Sequence, residues 1–365
     1  MNSYEKLTIN FASYSPGKII ISGEHSVVYG KLALCLSLNK YTKMKVEKIK
    51  NEKNIFSYVT LEETKEDFMV EKETIILNIS NNNYIIKDKK THFENIIITL
   101  FNNISEKEKI KEFILNITLK INISSEFPIG FGLGSSASYN SSITNGFIYL
   151  LEKYFNIEKI SLNNIISLSN NFEKFFHNNT PSGIDVTTCI NGGLIKFYKI
   201  DNFEKINISE NEDYLINKLD IFLISSNIIR EGGKLIKKVS EFKNQNLEKF
   251  NVLINKISDI TNHLSTILLE KGNNDFQLFF QLIQKNQEKL KELQVSNNEI
   301  DDIINLLLKN HFYGKITGAG GGGFILCFIE KNRREELEKL LNDNKLKFLK
   351  VKLSNQGIYI NDLTN

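Results

Sequence analysis

Four short segments of the chain gather residue types that can move a phosphoryl group. In Glu126-Phe-Pro-Ile-Gly-Phe-Gly-Leu-Gly-Ser-Ser136, Gly130, Gly132 and Gly134 stand just ahead of Ser135, Ser136 and Ala137. Glycines let a backbone bend tightly and approach a ligand closely. A helix opening at the serines offers unpaired N–H groups and a partial positive charge, which suits a phosphate. The serine hydroxyls can hold phosphate or Mg²⁺. An ordinary glycine turn with a serine cap has the same composition, so this segment alone leaves both readings open. It is not a Walker A loop, because no Gly-Lys-Ser/Thr follows.

A second segment, Ser15-Pro-Gly-Lys-Ile-Ile-Ile-Ser-Gly-Glu-His-Ser-Val-Val-Tyr-Gly30, sets Lys18, Glu24 and His25 among three glycines. It reads as a polar cluster at a strand end, although a lysine beside an apolar run is more often a solvated edge residue. In the third, Asn179-Thr-Pro-Ser-Gly-Ile-Asp185, Pro181 and Gly183 shape a turn that presents Asp185. An Asp there is either a backbone cap or a carboxylate poised to take a hydroxyl proton. The fourth is Lys315-Ile-Thr-Gly-Ala-Gly-Gly-Gly-Gly323. It matches G-x-G-x-x-G, but Phe324 to Ile329 reads as a strand, and a dinucleotide fingerprint must open a helix. A second phosphate- or substrate-facing loop is the expectation. Phosphoryl transfer needs positioning, neutralised phosphate charge, a metal and a base for the attacking hydroxyl. The four segments hold candidates for each.

Regular elements must carry these loops. Segments 7–14 and 32–38 read as strands, the second through Leu32, Leu34, Leu36 and Leu38 at period 2. In 117–123, Ile117, Leu119, Ile121 and Ile123 alternate with polar residues, the pattern of a half-buried strand. Behind the glycine loop, Ile143, Phe147, Leu150, Leu151 and Phe155 recur at helical spacing. A second helix spans 161–177 with Ser161 as N-cap, and its period puts Glu173 on the apolar face. An unpaired carboxylate there is expensive. A metal or a buried salt bridge, for instance to Lys18, would offset that cost. Further on come a strand at 193–199 and amphipathic helix from 233 to 310, Phe276 to Leu293 among it. Strand, glycine loop and strand fill 315–329, a helix runs from Arg333 to Asn342, and 347–361 reads as a terminal strand. Asn81-Asn82-Asn83 reads as a surface loop. A boundary near 205 divides the chain into 1–205 and 206–365.

The 365 residues are 41% apolar and 24% charged, an ordinary globular balance with room for two domains. A net charge of +3 gives no electrostatic case for nucleic acid or membrane partners. Cys35, Cys189 and Cys327 are widely spaced and read as free thiols of a reducing cytoplasm. The first ten residues have no apolar core of a signal peptide, and no apolar run reaches the ~18 residues of a membrane span. The only prolines, Pro16, Pro128 and Pro181, each stiffen one of the unusual loops.

In this order the motifs resemble the GHMP kinase superfamily, over residues 15 to 329. Within it the mevalonate kinases are most similar, through Pro16-Gly-Lys, Gly23-Glu-His-Ser-Val-Val-Tyr-Gly30, the Pro181-Ser-Gly-Ile-Asp185 turn and Gly192-Gly193. The resemblance implies an α+β fold of two domains. The N-terminal one is a ribosomal-protein-S5-like, ATP-binding domain, and the C-terminal one packs helices on an antiparallel sheet. It implies a cytoplasmic kinase using ATP and Mg²⁺ on the 5-hydroxyl of mevalonate, and leaves a homodimer open. Asp185 and Lys18 would be catalytic, and both would touch substrate, together with Glu24, His25 and Gly320. Ser125, Gly130, Phe131, Gly132, Leu133, Gly134, Ser135 and Ser136 would bind nucleotide. Ser136 and Glu173 would hold Mg²⁺. Two alternatives are a kinase of another small alcohol and a non-catalytic ligand-binding relative. One departure stands out: between His177 and Pro181 the chain carries one residue more than the usual mevalonate kinase turn, among Asn178, Asn179 and Thr180.

Overall fold

Alternating side chains build the first sheet. A computed structural model of the chain describes residues 8–50, 57–63, 68–80, 93, 96, 97, 100, 116–155, 157–176, 181–230 and 232–364. Residues 178–180, where the extra residue falls, and the Asn81-Asn82-Asn83 loop lie outside them. The strands of the first sheet are β1 (Asn10–Ser22), β2 (Ala33–Ile49), β3 (Ser57–Glu63), β4 (Met69–Ser80), β5 (Asn116–Ser125), β6 (Leu194–Lys199) and β7 (Asn202–Ile206). A last strand, β12 (Tyr359–Asp362), joins them. Their order is β12-β1-β2-β5-β4-β3, with β6 beside β2 and β7 beside β6. The second sheet takes β8 (Leu219–Ser225), β9 (Tyr313–Ile316), β10 (Phe324–Glu330) and β11 (Phe348–Val351), in the order β11-β8-β10-β9. The pairings in both sheets are antiparallel.

Helices cover the sheets. α1 (Ser135–Phe155), α2 (Leu162–Phe176) and α3 (Ile184–Asn191) belong to the first half. α4 (Gly232–Gln245), α5 (Leu247–Leu269), α6 (Phe276–Glu292), α7 (Asn298–Lys309) and α8 (Arg334–Asp343) follow. Ser161 caps α2 as its position predicts: its hydroxyl accepts the Asn164 amide at 3.3 Å. One apolar core runs from Ile19, Ile21, Leu34 and Leu36 of β1 and β2 to Leu223 and Leu326 of β8 and β10. The two sheets are therefore joined by buried hydrocarbon, which water exclusion stabilises. The α+β expectation holds, and among the described residues no helix is long and apolar enough to cross a membrane.

β2 runs past the expected 38 to Ile49, and the strands at the two ends of the chain also differ from expectation. β1 was expected to stop at Tyr14, yet it continues through Pro16 to Ser22. A register shift between Pro16 and Lys18 lets the strand absorb a residue without an N–H to donate. Lys18 therefore sits inside a strand and not at its end. The expected terminal strand is two strands. β11 lies in the second sheet, while β12 crosses back to pair with β1, Tyr359 opposite Tyr14.

Candidate active site

Five of the candidate residues, Lys18, Glu24, His25, Glu173 and Asp185, line one cavity of about 360 Å³ together with Arg230, Gly318 and Ala319, whereas the loop from Gly130 to Ser136 is not on its wall. Lys18 comes from β1 and is 1% exposed, so it is no solvated edge residue. Its Nζ lies 2.9 Å from Asp185 Oδ1, and Asp185 is 26% exposed. Asp185 stands in the first turn of α3, whose N-cap is Gly183. Its carboxylate thus faces lysine and does not serve as the cap. The pair sits where a substrate can reach the carboxylate while the ammonium stays dry.

The glycine loop is fitted to that lysine. Gly134 has φ 71°, and a Cβ there would lie 2.8 Å from Lys18 Cγ. The Lys18 amide donates to the Leu133 carbonyl at 2.9 Å. α1 begins directly behind, so its N-terminal amides and the positive end of its dipole start next to the glycine that abuts Lys18. The Phe131 ring packs on Phe68 and Phe324, so that side chain is a core contact.

Glu173 is 3% exposed on α2, on the face its period predicted. Ser136 Oγ donates to its Oε2 at 3.0 Å and Asn140 Nδ2 to its Oε1 at 2.6 Å. The salt bridge to Lys18 is not what offsets its burial. Among the described residues no group of three or more His, Cys, Asp or Glu could hold a metal alone. One carboxylate beside one hydroxyl, completed by phosphate oxygens and water, is a donor set that fits Mg²⁺.

The Gly23-Glu24-His25 turn closes the cavity. Glu24 is 1% exposed and forms an ion pair with Lys315, itself fully buried. Burial raises the Glu24 carboxyl above its usual range, while Lys315 opposes that. Glu24 Oε2 is buried and makes no hydrogen bond. His25 adopts φ 60°, uncommon outside glycine. Its Nε2 lies 3.0 Å from the Ala319 carbonyl, which can only accept, so Nε2 carries the proton. Burial pushes this imidazole down to about 4; the Ala319 carbonyl opposes the shift, and the Lys315 and Arg230 charges add to it. The folded protein therefore refuses a proton that the unfolded chain accepts near 6.5. Stability is expected to fall as pH drops from about 6.5 toward about 4. His25→Gln should flatten that part of the profile in urea unfolding, and an unchanged slope would contradict the assignment.

Gly320 and Ser125 also stand off the cavity wall. A Cβ on Gly320 would lie 2.4 Å from the Val295 carbonyl, so this glycine permits backbone packing behind the wall that Gly318 and Ala319 form. The glycine run fits protein against protein: a Cβ on Gly323 would lie 2.4 Å from the Phe131 carbonyl. Ser125 closes β5 and accepts from Thr42 at 3.3 Å, away from the cavity wall.

Three participants were missed from sequence. Arg230 sits between Gly132 and Gly318, its Nη1 2.5 Å from where a Gly318 Cβ would be. Among the described residues its guanidinium makes no hydrogen bond or ion pair; burial disfavours its charge, and Asp185 and Glu173 oppose that only in part. Nothing in the motif-poor stretch around it marked it out. Lys315 opens the glycine motif, and its place inside an apolar strand was a usable signal. Asn140 lies four residues after Ser136, the spacing that shares a helix face.

Comparison with known proteins bears on the family and the fold. The family described as GHMP kinases N terminal domain matches residues 95–193, and GHMP kinases C terminal matches residues 266–345. The chain is similar to the mevalonate kinase of Methanocaldococcus jannaschii, 28% identical over 93% of this chain and 99% of that protein. It is 28% identical to the mevalonate kinase of Schizosaccharomyces pombe, over 91% of this chain and 86% of that one. Its fold matches the crystal structure of L. major mevalonate kinase in complex with R-mevalonate, with TM-score 0.67 and 19% identity, covering 94% of this chain and 96% of that one.

Proposed function

Because the chain belongs to the GHMP kinases, with the family's N- and C-terminal domains in its sequence, we propose that it transfers the γ-phosphoryl group of ATP to the 5-hydroxyl of mevalonate. The observation that carries the chemistry is the buried Lys18 paired at 2.9 Å with a partly exposed Asp185 on a cavity wall. The choice of alcohol is supported by the curated relatives over almost the whole chain.

The residues divide the task. Asp185 orients the attacking hydroxyl and accepts its proton as the O–P bond forms. Lys18 Nζ stabilises charge on the attacking oxygen and on the transferring group, in a site where desolvation strengthens the interaction. The loop from Gly130 to Ser136 and the start of α1 hold the ATP phosphates. Arg230, a fork of donors without a side-chain partner among the described residues, lines the same cavity and clamps the γ-phosphoryl oxygens. Mg²⁺, held by Ser136 and Glu173, would neutralise phosphate charge. Glu24 and His25 shape the alcohol's end of the cavity. His25, protonated on Nε2 and neutral, keeps Nδ1 as an acceptor for a substrate hydroxyl.

Arg230→Met is expected to lower kcat about a hundredfold, read by steady-state kinetics at saturating mevalonate. An unchanged kcat would remove Arg230 from the phosphoryl site. The reading as a whole is tested by coupled ADP release with mevalonate, phosphomevalonate, galactose and homoserine. Turnover with mevalonate is expected. Turnover with another alcohol alone would overturn the substrate and keep the kinase.

A further inference from the structure

The two members of the Lys18–Asp185 pair sit on different elements, β1 and α3, and their spacing needs a brace. Residues 352–362 supply one. After β11 the chain leaves the second sheet and crosses to the first. Lys352 and Asn39 exchange two hydrogen bonds, of 3.0 and 2.7 Å. The Ser354 carbonyl accepts the Gly193 amide at 2.7 Å, just past the end of α3. The Ile358 amide then donates to the Ile190 carbonyl of α3 at 3.1 Å. The next residue, Tyr359, is already paired with Tyr14 of β1, and Ile360 with Ser13.

Contact at the α3 end is backbone on backbone. A Cβ on Gly357 would lie 2.0 Å from the Ile190 carbonyl oxygen, and one on Gly192 would lie 2.4 Å from the Gly357 amide nitrogen. Two glycines facing each other leave no slack. Gly357 is not in the left-handed region, so an alanine there meets the contact and not a positive-φ penalty. α3 spans only eight residues, Ile184–Asn191, with Asp185 in its first turn, so displacing one end displaces the other.

We propose that the carboxy-terminal strap, residues 354–360, is a positioning element of the active site that sets the Lys18–Asp185 distance, with Gly357 as its contact point. The strap touches neither substrate nor ATP. It acts by clamping the end of α3 against β1. The inference rests on Asp185 and Lys18 acting in transfer as proposed above. Wild-type turnover tests that reading, while the ratio of variant to wild type tests the strap, with whichever alcohol the enzyme accepts.

Gly357→Ala must open the contact by about 1 Å, a misplacement that costs up to about a hundredfold in rate. We expect kcat to fall at least tenfold, with KM for ATP within twofold and unfolding still cooperative. A plain loss of stability would not discriminate, so the readout is a double-mutant cycle. In an Asp185→Ala background the same change should leave the residual rate within twofold, because the group it positions is gone. Leu341→Ala, a buried core change on α8 far from the strap, should lower stability and leave kcat unchanged. If Gly357→Ala does not fold, Ile358→Pro, which deletes the donor to Ile190 and also constrains the backbone at 357 and 358, is put through the same cycle. An unchanged kcat in the folded variant, or an equal loss with and without Asp185, would overturn the strap's role.

Discussion

Asp185→Ala is expected to lower kcat by about a thousandfold while leaving KM for ATP within a few-fold. The carboxylate lies 2.9 Å from Lys18 and faces a cavity, at the first turn of α3. Removing it takes away the acceptor for the hydroxyl proton. It also frees Lys18 to bind phosphate oxygens in the ground state, which tightens nucleotide binding without helping transfer. The split between kcat and KM is the diagnostic: an interaction made in the transition state alone changes kcat. Asp185→Asn keeps the shape and should be nearly as slow, since an amide takes no proton. Steady-state kinetics at saturating ATP and alcohol decide this. If kcat moved less than tenfold, Asp185 would be a structural partner of Lys18 and nothing more.

Lys315→Met should destabilise the fold by about 3–5 kcal/mol, the largest expected loss of stability. Lys315 is fully buried and Glu24 is 1% exposed. Methionine fills similar space but leaves Glu24 with a buried charge and no cation beside it. One carboxylate oxygen of Glu24 already lacks a hydrogen bond. The double change Glu24→Met with Lys315→Met should recover most of the loss, because a buried ion pair replaced whole by apolar groups is often neutral. The pH dependence has a definite sign. Burial already raises the Glu24 carboxyl, and Lys315 is the main influence lowering it. Without Lys315 the folded state favours protonated Glu24 still more, so the deficit is full at neutral pH and above. It closes as pH falls through the folded value toward the ordinary 4.5. Urea unfolding at several pH values reads this, and a deficit below 1 kcal/mol or one that grows in acid would contradict it.

How much of the site could be read in the sequence follows from how local each signal is. The strand at β5 was visible because Leu119, Ile121 and Ile123 alternate and all three are buried. Glu173 was placed on a buried face by helical period alone, and its partner Ser136 by motif. Met44 and Val46 are buried beside partly exposed Lys43, Lys45 and Glu47, so the far half of β2 carried a period-2 signal that went unread. Other features depend on distant pairing. Glu24 and Lys315 are 291 positions apart, and neither segment's pattern announces the other. β12 joins β1 through a register that no local period encodes. The glycines of the fourth motif were legible as points of close approach. Their partners, the Val295 and Phe131 carbonyls, were not. Arg230 lay in a stretch with no motif, and only its place between two loops gives it meaning.

The central claim is that the γ-phosphoryl group goes to one particular oxygen. Mass spectrometry and ³¹P NMR of the product formed from ATP and mevalonate test it directly. The predicted result is a single phosphomonoester on the 5-oxygen, formed in equal amount to ADP. Inorganic phosphate in place of the ester, or phosphate on the 3-oxygen, would contradict it.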